Sequence, residues 1–193
     1  MRALPICLFL IIAASLSSVT MDSFLNLESV PSTLDDANVK IVESPSEGLI
    51  EIDTLSFDSV IWQGIQWLNH LIIIRPPRIE SEVAVMFITG NYGYSQEELA
   101  LFRLLALQNR AYVAVLFDIP NQPLFGGLKE DRLLSYSLVS CLKTCDYRCP
   151  ALLPMVQATI ASVNIMNDFI GNKGDEVEGF ILSGSPSEVE PHG

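Results

Sequence analysis

The stretch that decides the fold is the apolar run VAVMFI at residues 83–88, which is followed by the turn TGNYG at residues 89–93. Six apolar residues in succession predict a strand that is buried on both faces, which is typical of a parallel sheet. Ser95 is placed to cap a helix after the turn, and the run YVAVLF at residues 112–117 predicts a second buried strand. A strand, a helix and a second strand in this order predict a right-handed βαβ unit.

The same alternation continues on both sides of this unit. An earlier strand, LIII at residues 71–74, is predicted to stop before a Pro-Pro pair. Two helices are predicted over residues 129–143 and 153–170, and a last strand over residues 177–182. The predicted fold class is therefore α/β, with a mostly parallel sheet flanked by helices. The helix after Ser95 should present a core face made of Leu99, Phe102, Leu105 and Ala106.

The first 20 residues have the pattern of a secretory signal peptide, in which Arg2 precedes an apolar core at residues 6–14. This core is well short of the ~20 residues that span a bilayer. We therefore expect secretion, with no stable membrane anchor after cleavage. The predicted organisation is a signal peptide (1–20), an acidic N-terminal arm with one short strand at about 48–52 (21–59), an α/β domain (60–185) and a divergent polar tail (186–193).

The chain is strongly acidic, with 11 Lys and Arg against 23 Asp and Glu and a formal net charge of −12. Nucleic-acid binding requires cations that neutralise phosphates, so this composition argues strongly against a nucleic-acid partner, and none is predicted. The expected partner is an unknown extracellular protein or a small molecule, and no cofactor is predicted.

Three cysteines, Cys141, Cys145 and Cys149, remain once signal cleavage removes Cys7. An odd number in an oxidising compartment predicts one disulfide and one free thiol, with the pairing left open. Cys141 and Cys145 would share one helix face because they are four residues apart. No metal site is predicted, because structural zinc needs four ligands and no histidine lies nearby.

Several further stretches, taken in order, resemble the PhoPQ-activated pathogenicity-related proteins, a family that also includes secreted autocrine proliferation repressors. The matching stretches are Trp67 and His70 before LIIIRP at 71–76, FITG at 87–90, DIPNQPL at 118–124, Glu130-Asp131, LPMV at 153–156 and FILSGS at 180–185. The resemblance covers about residues 60–185 and implies an incomplete α/β-hydrolase-like fold, the N-terminal half of such a protein. It also implies that His70 belongs to a structural Trp-x-x-His element.

The resemblance stops at Pro186. Family members continue after the last strand with Ser-Gly, a small residue and a serine followed by Lys-Arg-Gly-Trp, whereas Pro186 takes the serine position here. Hydrolase chain order places the acid and the histidine after the serine, and only a few residues remain, with His192 among them. We therefore assign no catalytic residue and expect a chain truncated before its catalytic half, with an extracellular binding or regulatory role. The alternative is a fragment of a secreted serine hydrolase, esterase-like or peptidase-like.

Two loops carry the candidate binding residues. Thr89, Gly90 and Asn91 follow a central strand, where the backbone N–H groups of an oxyanion loop would lie. An ordinary strand-to-helix turn is the alternative for them. Asn121 and Gln122 follow the strand at residues 112–117, at the edge where open α/β sheets bind ligands. For these two residues the alternative is turn formation with internal hydrogen bonds to the backbone.

Glu130 and Asp131 form an adjacent acidic pair at the start of a predicted helix. Neighbouring residues on a helix point about 100° apart, so these two carboxylates would not converge on one bond. We interpret them as charges that favour the helix N-terminus rather than as a catalytic pair.

Overall fold

The computed structural model describes residues 27–43, 50–144, 146 and 148–184. The predicted signal peptide, the polar tail, Ser185 and Cys145 lie outside these described residues. None of the described helices is long and apolar enough to cross a membrane.

The described chain begins with antiparallel strands and then alternates strands with helices. A short 3-10 helix, Leu27–Ser29, precedes β1 (Lys40–Glu43), β2 (Glu51–Trp62) and β3 (Ile65–Arg75). The remaining elements are β4 (Val83–Ile88), α1 (Gln96–Asn109), β5 (Val113–Phe117), α2 (Glu130–Thr144), α3 (Leu152–Asn172) and β6 (Gly179–Gly184). The elements predicted from residue 83 onward are present at nearly their predicted bounds.

The six described strands form one sheet in the order β1-β2-β3-β5-β4-β6. β4 pairs in parallel with β5 and with β6, as the βαβ pattern predicted. The pairs β1–β2, β2–β3 and β3–β5 are antiparallel. The α/β class is confirmed, but the sheet is mixed, and the expected parallel arrangement holds only for its β5-β4-β6 part.

A tight hairpin produces the antiparallel β2–β3 pair. β2 and β3 are joined by Gln63 (φ 51°) and Gly64 (φ 75°), which are both in the left-handed region. Two such residues are the mark of a type I′ turn, whose twist matches that of the strands it joins. The strand predicted at residues 71–74 is therefore only the last part of the longer β3.

Two stretches of the acidic segment before residue 60, β1 and the first part of β2, belong to the sheet, whereas the composition suggested an extended arm. β2 begins at Glu51, and its Leu55 and Phe57 side chains are fully buried. The buried Asp53 carboxylate accepts a hydrogen bond from Lys173 Nζ at 2.7 Å. Lys173 follows α3 and neutralises this carboxylate, so the acidic composition of the segment does not mean that the segment is exposed to solvent. The sheet starts with β1, well before the boundary predicted at residue 60.

Helices cover both faces of the sheet. α1 packs on one face through the four residues predicted for its core side, against apolar side chains of β3, β4 and β5. Ser95 caps α1, as predicted, and Glu98 completes a capping box with it. α3 packs on the other face, where Leu71, Met86 and Leu116 are fully buried. The sheet is thus the middle of three layers. The helices cover its faces, and the connecting loops lie at the ends of its strands.

Candidate ligand site at the carboxyl ends of the strands

The structure brings the two predicted binding loops together. β4 and β5 are parallel neighbours, so Thr89–Asn91 and Asn121–Gln122 leave the sheet at the same edge. The Gln122 Nε2 group donates to Asn91 Oδ1 at 3.0 Å and to the Gly90 carbonyl oxygen at 3.3 Å. Gln122 therefore ties the loop after β4 to the loop after β5. This is the edge at which open α/β sheets bind their ligands.

Glu130, the first residue of α2, holds the Gln122 side chain by both of its polar atoms. The Glu130 backbone N–H donates to Gln122 Oε1 at 2.8 Å, and Gln122 Nε2 donates to Glu130 Oε1 at 2.7 Å. Glu130 has a φ of 48°, which is uncommon for a residue with a side chain. The sequence indicated only a helix-start charge for Glu130, since a loop contact between residues 122 and 130 leaves no periodic signal.

The Gln122 and Glu130 side chains leave little room for a side chain at position 90. A Cβ atom on Gly90 would lie 3.1 Å from Gln122 Nε2 and 3.1 Å from Glu130 Oε1. Both neighbours are polar atoms that are hydrogen-bonded to each other. A side chain at position 90 would therefore require the hydrogen-bonded Gln122–Glu130 pair to shift by a few tenths of an ångström.

The backbone donors of the β4–α1 loop differ in their availability. The Thr89 N–H donates to the Leu116 carbonyl at 2.9 Å, so it belongs to the sheet. The N–H groups of Gly90 and Asn91 have no acceptor within the described part of the chain. These two are the candidate oxyanion-type donors. The adjacent Glu130 carboxylate disfavours a full negative charge beside them, so a neutral carbonyl or hydroxyl oxygen suits them better.

The Asn121 side chain points away from this group. Its Nδ2 donates to the Leu68 carbonyl at 2.7 Å, which anchors the β5–α2 loop to β3. Internal hydrogen bonding, the alternative considered for Asn121 and Gln122, is thus what both side chains do in the structure. A direct contact of either with a ligand stays a prediction.

His70 lies at the same edge of the sheet, on β3. Its Nδ1 atom is 2.7 Å from Asp118 Oδ2, and its ring stacks on Tyr92 with centroids 4.1 Å apart. The buried Asn69 side chain donates to the carbonyls of Phe117 and Asp118 at 3.1 and 2.9 Å. The sequence did not indicate this pairing, because His70 and Asp118 meet only through the antiparallel contact of β3 with β5.

His70 is distant from the last described strand. Three strand spacings separate β3 from β6 in the sheet, which amounts to about 14 Å at ~4.8 Å a spacing. A histidine base must lie within hydrogen-bond reach of the nucleophile that it activates. His70 therefore cannot activate a serine on β6.

The cysteines and the acidic groups provide no further site in the described residues. Cys141 and Cys149 are free thiols, and Cys149 Sγ lies 3.6 Å from both Gln63 Nε2 and Thr144 Oγ1. Since Cys145 lies outside the described residues, the predicted disulfide stays a prediction. The described histidines, cysteines and carboxylates contain no group of three or more placed to hold a metal ion.

The fold and this edge define the class of the protein. The order β2-β3-β5-β4-β6 with antiparallel β3, and a loop after β4 beside the end of β6, are those of an α/β-hydrolase-like protein. Residues 29–187 match the sequence profile of the PhoPQ-activated pathogenicity-related proteins, and the chain belongs to this family. The family predicted from the sequence is thereby confirmed. The match begins well before residue 60, as does the sheet.

Two esterases are among the solved structures similar to this chain. An acetyl xylan esterase from Paenibacillus sp. R4 is 17% identical with a TM-score of 0.47, over 84% of this chain and 48% of its own. A cold-adapted esterase from an Arctic intertidal metagenomic library is 11% identical with a TM-score of 0.43, over 74% of this chain and 53% of its own. The chain thus spans about half the length of these structures. A search of curated proteins found no match.

Proposed function

We propose that this chain is a secreted, ligand-binding member of the PhoPQ-activated pathogenicity-related family that does not act through a serine nucleophile. The observation that carries the proposal is the position of His70, the one histidine in the described part of the chain. It is bonded to Asp118 and lies about 14 Å from β6 by strand spacing. Secretion is supported by the signal-peptide pattern of residues 1–20.

The strand-end edge, where the parallel strands β4, β5 and β6 have their carboxyl ends, supports a binding role because its polar groups are held in place before any ligand arrives. Gln122 is held by Glu130 and donates to the Gly90 carbonyl and to the Asn91 side chain, which orients the two adjacent N–H groups. Tyr92 follows in the same loop and is 47% exposed, which offers an aromatic surface beside those donors. Preorganised donors next to an exposed ring suit a small neutral ligand or a side chain of a protein partner.

Ester hydrolysis is the second candidate, and one observation favours it. Ile88 at the end of β4 lies opposite Gly184 at the end of β6, so the loop at residues 89–91 starts beside the carboxyl end of β6. In α/β-hydrolases these two places supply the oxyanion donors and the nucleophilic serine. Ser185 would have to be that nucleophile, because Pro186 takes the position of the family's serine, and its base and acid would come from outside the described residues.

A serine-directed fluorophosphonate probe separates the two candidates. The protein, purified from the medium of a secreting host, is incubated with the probe and, separately, with p-nitrophenyl acetate. The binding proposal predicts no labelling and no turnover above a heat-denatured control. Labelling that disappears in Ser185→Ala and persists in Ser187→Ala would overturn it in favour of ester hydrolysis.

Secretion has its own test in the same preparation. N-terminal sequencing of the protein from the medium should give a start between residues 18 and 21, after the predicted cleavage. An intact Met1 on protein that stays inside the cells would contradict the proposed location.

A further inference from the structure

We propose that His70 and Asp118 form an acid–base pair that presents His70 Nε2 to a neutral hydroxyl-bearing ligand at the strand-end edge. The inference rests on the proposed binding function and names the ligand chemistry of that site. Three features carry it: the direction of the His70–Asp118 hydrogen bond, the network that holds Asp118, and the charge around the pair.

The hydrogen bond to Asp118 determines which nitrogen of His70 is available. An ionised carboxylate only accepts hydrogen bonds, so the contact of 2.7 Å places the hydrogen of a neutral imidazole on Nδ1. Nε2 then carries the lone pair. No partner for Nε2 exists in the described part of the chain, and the side chain keeps 22% of its surface exposed. Nε2 is therefore free to accept a proton or a hydrogen bond from outside.

A buried network holds Asp118 in the orientation that this pairing needs. Asp118 has a φ of 64°, in the left-handed region that Asp and Asn adopt more readily than other residues with a side chain. The fully buried Asn69 donates to the Asp118 carbonyl at 2.9 Å, and Ser59 Oγ donates to Asn69 Oδ1 at 2.5 Å. Tyr92 stacks on the His70 ring and restricts its rotation. Such outer support is what fixes the orientation of a reactive histidine.

The surrounding charge selects the class of ligand. Asp118 and Glu130 both lie at this edge, and the chain carries a net charge of −12, so carboxylates and phosphates are repelled. A neutral hydroxyl group donates to Nε2 without that penalty. The exposed Tyr92 ring suits the apolar face of a sugar or an aromatic alcohol.

Diethyl pyrocarbonate tests the pair directly, with His192 of the same chain as an internal reference. Nε2 attacks a carbonyl carbon of the reagent, the N–C bond forms, and the C–O bond breaks to release ethyl carbonate, while the Nδ1 proton passes to Asp118. Mass spectrometry of peptides measures both histidines in one sample. In Asp118→Asn the rate at His70 relative to His192 should fall about tenfold, because a neutral acceptor replaces a charged one. An unchanged ratio would refute the acid–base pair.

Three further measurements keep the test decisive. Asn tolerates the φ of 64° at position 118, and circular dichroism shows whether Asp118→Asn keeps its fold. In the unsubstituted protein, long-range 1H–15N spectra under mildly alkaline conditions should show His70 protonated on Nδ1, and protonation on Nε2 would also refute the pair. Neutral methyl glycosides should slow modification of His70 but not of His192. If no neutral methyl glycoside slows the modification of His70, the proposed ligand class is wrong, whether or not the fluorophosphonate probe labels a serine.

Discussion

Replacing Gly90 by alanine should destabilise the strand-end loops through a steric effect. The new Cβ would lie 3.1 Å from Gln122 Nε2 and from Glu130 Oε1, where ordinary contacts are 3.4–4 Å. Neither atom retreats freely, because two hydrogen bonds of 2.7 and 2.8 Å join Gln122 to Glu130. Relieving the contact sacrifices about one of these bonds, or roughly 1–2 kcal/mol. For a domain of this size the melting temperature should fall by roughly 2–8 °C.

Thermal and urea unfolding of Gly90→Ala measure this cost, and Gly179→Ala is the matched control. A Cβ on Gly179 meets nothing within 4 Å, so its replacement should leave stability nearly unchanged. In a Gln122→Ala background the pair is already broken and Glu130 is free to move, so Gly90→Ala should cost less than about 0.5 kcal/mol. An equal cost of Gly90→Ala in both backgrounds would refute the steric argument.

Three further predictions concern stability. The hydrogen bond from Arg75 is the largest cause that lowers the pKa of Asp175 below its usual 3.8. The ionised Asp175 carboxylate therefore stabilises the fold above pH 3.8, and this contribution is lost as the pH falls through the lowered pKa. Between neutral pH and about pH 3, the urea midpoint of Asp175→Asn should drop less than that of the unsubstituted protein. Equal drops in the two proteins would contradict this. Leu55→Ala should cost roughly 2–5 kcal/mol in urea unfolding, while Ile61→Ala on the same strand, 73% exposed, should cost little; small costs for both would place β2 outside the core. Ser95→Ala should cost about 0.5–2 kcal/mol, and unchanged amide protection at the start of α1 would argue against the cap.

Local patterns predicted much of the fold because their causes are local. The apolar runs at residues 83–88 and 112–117 became β4 and β5. β5 is buried along its whole length, as a strand inside a parallel sheet is expected to be. β4 is buried at Ala84 and Met86 but only half-buried or exposed at its other positions, so burial on both faces was wrong for this strand. Ser95 with Glu98 predicted the start of α1 because a cap involves only residues within one turn. The family could also be identified from short ordered stretches, and the profile match confirms it.

The β2–β3 hairpin was missed, although a signal for it was present. Gln63 and Gly64 form a two-residue loop between apolar segments, and such loops favour antiparallel strands. The acidic composition of residues 21–58 led to the prediction of an extended arm with one short strand at about 48–52. The compensating charges come from Arg75 and from Lys173, far along the chain, where they bond Glu51 and Asp53.

The sequence by itself determined the α/β class, the family, the helix start at Ser95 and the two loops that meet at the strand ends. Only the tertiary structure decided that the sheet is mixed, that Glu130 holds Gln122 against Gly90, and that His70 bonds Asp118. The physical reason is the range of the interactions. Burial and capping leave a periodic or local trace in the chain, whereas a hydrogen bond between two loops depends on which strands become neighbours.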